Sequence, residues 1–172
     1  MHLAGGRILL QGNVRWEAVM LPSTRPATGL LAFLCGPALA CPDWQAQTWY
    51  GEATLSAGFE PTPFWAGIKG GGTASLRDCG FEWEGVVDLR PDLRLHWEGE
   101  APRLAIYVEA EEDLILLVRD PEGHWLYDDN GWGTNPLIVI TGPAPGNYVI
   151  FVGARDLEQH IPVRLLISEK GP

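Results

Sequence analysis

Positive charge is scarce in this chain. Its 172 residues carry 12 lysines and arginines against 22 aspartates and glutamates, a formal net charge of −10. Nucleic acid and anionic membrane surfaces are polyanions that repel such a surface, so both are excluded as partners and cations are the more natural ligands. Histidine (4) and cysteine (3) are sparse as well. His96, His124 and His160 show no metal-ligand spacing, which argues against a zinc centre. No serine sits in a nucleophile-elbow context, so protease chemistry lacks its nucleophile. Long apolar runs are also missing: the stretch from about Gly29 to Leu39 is too short to span a bilayer as an ordinary helix.

Turn formers and β-type apolar residues are plentiful. Glycine (21) and proline (14) punctuate short runs rich in Val, Ile, Leu and aromatics, within 46% hydrophobic content. That composition favours strands and turns over long helices, and the length suits one core. Eight tryptophans are unusual for this length. Most belong in a core or on strand faces, while exposed ones can stack on sugars or grip a protein.

The segment Met20 to Cys41, "MLPSTRPATGLLAFLCGPALAC", has a short region carrying Arg25, an apolar stretch, and small residues at Ala38 and Ala40. This is the layout of a secretory signal peptide cleaved after Ala40, with a buried helix as the alternative. On this reading Met20 is the true start, residues 1–19 are an upstream extension, and 41–172 form a single secreted or periplasmic domain. Cleavage leaves Cys41 at the new N-terminus, which raises acylation as a further alternative. It also removes Cys35, so Cys41 and Cys79 remain as an even pair for a disulfide, against two free thiols. Closing that loop stabilises by roughly 4 kcal/mol in the chain-entropy model.

Within 41–172, "ATLSAGF" and "FWAGIKG" read as strands around an "EPTP" turn, and Gly70 to Gly72 as a turn. "LRLHW", "RLAIYVEA" and "DLILLVRD" alternate with period two, which places Leu104, Ile106 and Val108 on one face and Leu114, Leu116 and Val118 on another. Asp120-Pro121-Glu122-Gly123 has the chemistry of a type I turn, so "LILLV" and "HWLY" form a hairpin. "LIVIT", "NYVIFVGA" and "VRLLIS" complete the set. About 8 to 10 short strands at this spacing predict an all-β antiparallel sandwich of jelly-roll type.

The order from Asp113 to Ala154, "DLILLVRDPEGHWLYDDNGWGTNPLIVITGPAPGNYVIFVGA", resembles the bacterial pre-peptidase C-terminal domain family. The likeness lies in an aspartate before an alternating strand, a "DPDG"-like turn, an acidic loop, an "NP" step and a "G-x-Y-x-V-x-V-G" strand. "GFEPTPF" and "DCGF" resemble elements of short stand-alone secreted members, which extends the likeness to about residues 53 to 168. Asn130 stands where the family's acidic loop has a third acid, and Leu126 where some relatives carry cysteine. Members of this family and of the related collagen-binding domains bind calcium, so the resemblance implies ligands at Asp120, Asp128, Asp129, Asn130 and Asn135.

Calcium takes six to eight oxygen ligands, and the acidic loop offers carboxylates, amides and glycine-freed carbonyls close together. Whether Asp113 also converges with Asp128 depends on strand register. The alternative is an Asx-rich solvated loop capping its own turns. No carboxylate pair is singled out for glycoside hydrolysis, and Glu109, Glu111 and Glu112 read as a charged strand end. The expectation is therefore a non-enzymatic, monomeric, calcium-binding accessory or binding module that meets an extracellular protein or polysaccharide. A carbohydrate-binding module with a platform of Trp97, Trp125 and Trp132 is the runner-up, and a small glycoside hydrolase a distant third.

Overall fold

The structure, a computed structural model, describes residues 40–156 and 160–172. The upstream extension, the start at Met20, the body of the signal peptide and Cys35 all fall outside the described residues. Eleven strands follow in order: β1 (Glu52–Ser56), β2 (Phe64–Gly71), β3 (Ala74–Ser75), β4 (Val86–Val87), β5 (Leu93–Glu98), β6 (Arg103–Glu109), β7 (Leu114–Arg119), β8 (Trp125–Asp128), β9 (Leu137–Thr141), β10 (Gly146–Ala154) and β11 (His160–Ser168). No helix occurs among the described residues. The surplus over the expected number comes from β3 and β4, two-residue strands too short to show alternation. Gly70 and Gly71 are strand residues at the end of β2, not the turn expected of them.

Sheet B runs β2-β11-β6-β9, antiparallel throughout. In sheet A, β10 pairs with β5 and β4 as well as with β7; β1 lies beyond β5, parallel to it, and β8 beyond β7. The pairs β7·β8, β6·β9, β5·β10 and β2·β11 are each antiparallel and nested one inside the next. The chain is therefore one long hairpin rolled into two sheets, the jelly-roll arrangement. Its apex is the turn after β7, where Gly123 N–H donates to the Asp120 carbonyl at 3.1 Å and Asp120 N–H to the His124 carbonyl at 2.9 Å. Gly123, at φ 97°, supplies the left-handed residue that such a three-residue connection requires.

Inward-facing side chains of both sheets build the main core. Leu93, Leu95 and Trp97 meet Leu104, Ile106, Val108, Leu114, Leu116, Val118, Tyr148, Ile150 and Val152 there. The period-two faces are placed as the alternation predicts. The half-buried character expected of the strands is not observed for β6, β7 and β10, which are buried on both faces along most of their length. On the outside of sheet A, Ile115, Leu117, Val149 and Phe151 pack under Ala74, Leu76 and Val87, flanked by Phe81, Trp83, Trp125 and Tyr127. The Cys41–Cys79 disulfide ties this covering segment to the N-terminal lead, as expected.

Along one edge β10 changes partner, from β5 up to the Ile150–Leu93 pair to β4 at the Ala154–Val86 pair. Asp92 fills the gap between them. Its N–H donates to the Ile150 carbonyl at 2.9 Å and its Oδ2 accepts the Val152 N–H at 2.6 Å. The carboxyl thus stands in for a missing strand carbonyl. Nearby, Gly153 passes so close to the Val86 carbonyl and the Ile115 side chain that a Cβ has no room.

Asp92 is 1% exposed and its Oδ1 has no partner. Burial pushes its carboxyl well above the usual carboxylate value of 3.8; the Val152 N–H pulls it back in part, and Asp88 adds to the rise. The folded state therefore holds this proton more tightly than the unfolded chain does, so the contribution to stability falls as pH rises from the unfolded value toward the folded one. Asp92→Asn keeps an acceptor for Val152 and removes the titration, so its urea midpoint should lose this decline above about pH 4. Asp92→Ala leaves the Val152 N–H without an acceptor and should cost about 1–3 kcal/mol.

Candidate functional site

Register decides which of the expected ligands can meet. In the β7·β8 hairpin, Leu116 lies opposite Asp128 and Arg119 opposite Trp125. Asp120 is four residues along from Leu116, about 13 Å at roughly 3.4 Å per residue. Asp120 therefore sits at the turn end of the sandwich, while Asp113, Asp128, Asp129, Asn130 and Asn135 sit at the other. One ion cannot be shared by all six, which corrects the single-site arrangement.

At the loop end the polar side chains hold the backbone. Asp128 Oδ2 accepts the N–H groups of Gly131 (2.6 Å) and Leu137 (2.8 Å), which closes the acidic loop on itself. Trp132 and Asn135 exchange backbone hydrogen bonds, and Asn135 Oδ1 accepts the Ala110 N–H at 3.1 Å. This is the Asx-type engagement of a loop with its own turns. Asp113 and Asp129 flank the Arg155 guanidinium at 3.5 and 3.9 Å, so a cation from the chain itself already lies between them. Asn130 is exposed.

At the turn end Asp120 is clamped by His124, whose N–H donates to Oδ1 at 2.8 Å and whose Nδ1 lies 3.0 Å from Oδ2. Burial, which alone raises the Asp120 carboxyl, is outweighed by hydrogen bonds from the His124 backbone and ring, so its pKa lies below the ordinary value. Glu122 Oε2 is 3.8 Å from the same Nδ1. Asp120, Glu122 and His124 are the group among the described residues whose donor atoms all lie within 4.8 Å of one another, as a metal shell needs. Two carboxylates with one imidazole suit a transition metal better than calcium.

The three tryptophans expected to share a platform are dispersed. Trp97 is fully buried in the core, because the alternation that directs Leu93 and Leu95 inward carries Trp97 with them. Trp125 lies edge-on to Phe81 beneath the cover of sheet A. Trp132 is 39% exposed and meets Tyr107 edge-to-face at 5.6 Å on the outside of sheet B.

That outer face carries a row the sequence reading missed. Trp65, Leu166, Tyr107 and Leu137 lie opposite one another across β2, β11, β6 and β9. Trp65 is 58% exposed, with the Arg164 guanidinium 5.4 Å from its ring centroid, and Val139 is exposed in the neighbouring row. The signal was available: with Phe64, Ala66 and Ile68 packed on the core, Trp65 has to point out.

No family model matches this chain, and no curated protein matches it. Among solved structures, a similar one is PliG of Aeromonas hydrophila, a periplasmic lysozyme inhibitor of g-type lysozyme. It is 19% identical, with a TM-score of 0.36, over 72% of this chain and 98% of that one. Likeness at that level carries no argument about function.

The Asp128 contacts generate a test. Asp128→Ala removes the acceptor of two backbone N–H groups and should lower stability by about 1–2 kcal/mol, read as a lower urea midpoint with unchanged slope.

Proposed function

We propose that this protein is an extracytoplasmic, non-catalytic binding module of the pre-peptidase C-terminal type, and that the outer face of sheet B receives a polysaccharide. The observation that carries the reading is the pair of exposed rings on that face, Trp65 (58%) and Trp132 (39%), at either side of Leu166 and Tyr107, which are themselves buried. Exposed aromatic rings are what a sugar ring stacks on. The Cys41–Cys79 disulfide supports an oxidising compartment. The jelly-roll order and the Asp120–Gly123 turn support the family resemblance. The non-catalytic reading draws support from the acidic loop, whose carboxylates hold backbone N–H groups and Arg155.

Calcium belongs to this reading as a second proposal, resting on the resemblance and on the cluster at the loop end. With Arg155 between Asp113 and Asp129, calcium has to displace a guanidinium before it reaches both carboxylates. Arg155→Gln removes that competitor. The variant's melting midpoint should rise on adding calcium at about 1 mM, by more than that of the wild type. An unchanged midpoint in both proteins would remove calcium from the account.

For the polysaccharide face, Trp65→Ala should weaken binding on a glycan array or to insoluble polysaccharide by about tenfold or more, with little change in melting, because the ring is mostly solvent-facing. Trp132→Ala should weaken it too, at some cost in stability from the lost Tyr107 contact. Unaltered glycan binding by both variants would sink the proposal.

A further inference from the structure

The outer face of sheet A is covered unevenly. At the turn end, beyond the aromatic cover, an open cleft of about 870 Å³ lies between the N-terminal lead and the turns at Pro121 and Pro145. Its floor is one register row: Glu52 on β1, Arg94 on β5, Val149 on β10 and Arg119 on β7. Trp44 and Gln45 of the lead form one wall, and Pro121, Pro145 and Asn147 face them. In a chain of net charge −10, two arginines here face one opening.

The two arginines differ in how they are held. Arg94 donates to Glu52 Oε1 at 2.8 Å and to the backbone carbonyls of Trp44 (3.0 Å) and Ala46 (3.4 Å), so its charge is matched and it anchors the lead. Arg119 lies over the Trp44 ring, 3.9 Å from the centroid, against Gly123 of the apex turn. It has no carboxylate within ion-pair distance among the described residues. The neighbouring Asp120 is turned onto His124. Stacking on Trp44 fixes the guanidinium plane while leaving its N–H donors unmatched.

We propose that this cleft binds an acidic saccharide, with Arg119 receiving its carboxylate. A planar guanidinium matches a carboxylate with two parallel hydrogen bonds. The Pro121 and Pro145 rings suit the C–H faces of a sugar ring, and the Gln45 and Asn147 amides suit its hydroxyls. A peptide is a poorer match. The floor crosses β5, β10 and β7 in mid-sheet, where neighbouring strands already occupy the backbone groups that an added strand uses. The cleft lies on the sheet opposite the Trp65 face, and neither site depends on the other.

The test is a titration of the wild type, followed by tryptophan fluorescence and calorimetry, with oligogalacturonate, a neutral malto-oligosaccharide and a poly-glutamate peptide. Oligogalacturonate should bind saturably and more weakly as salt rises, while the neutral sugar and the peptide bind at least tenfold more weakly. Arg119→Gln should lose at least tenfold in affinity for oligogalacturonate. Gln45→Glu, a change on the exposed lead, should weaken binding as well by placing a like charge in the cleft, and matching near-UV circular dichroism would show both variants folded. The inference is overturned if oligogalacturonate does not bind, if Arg119→Gln binds it as the wild type does, or if the peptide binds equally well.

Discussion

β10 is the strand on which both layers lean, and its continuity rests on a side chain. It pairs with β7 along one edge and with β5 and then β4 along the other, and the Asp92 carboxyl bridges the change of partner. Without that acceptor the Val152 N–H faces the interior unpaired, beside Ile150 and Val152 of the main core. The cost of leaving buried backbone groups unpaired explains why an acid is tolerated at a position 1% exposed. Just beyond this gap the β3–β4 segment joins sheet A and covers its outer face.

Much of this architecture was legible in the sequence. Period-two alternation placed Leu104, Ile106 and Val108 against Leu114, Leu116 and Val118, and "DPEG" located the hairpin apex, because both signals are local and arise from one strand or turn at a time. Double-sided burial was not legible. Whether Ile115 and Leu117 meet solvent depends on a segment some thirty to forty residues away, and alternation within β7 has no access to that segment. Asp92 was overlooked for a related reason, since in "RPDL" it reads as an ordinary turn acid, and only the neighbouring strands reveal the missing carbonyl.

The functional residues divide along the same line. Proximity in sequence suggested that Asp120 and the acidic loop act together, but a hairpin separates what lies just before its turn from what lies beyond its second strand. Likewise, Trp97, Trp125 and Trp132 share a residue type and a region while facing the core, the cover and the solvent. Trp65 and Trp44 were recoverable only by asking which face each residue occupies and which basic group settles on it. Register, more than composition, decides which charges and rings form a site.

The nested pairing also bears on how such a chain folds. β2 finds its neighbour in β11, so the first long strand to emerge has to wait for the last. Pairings of such wide sequence separation close slowly. β2 cannot join sheet B before β11 is in place between it and β6. Rolled-up connectivity thus makes the completion of sheet B depend on the two ends of the domain meeting, and the Cys41–Cys79 disulfide fastens the lead to the finished fold.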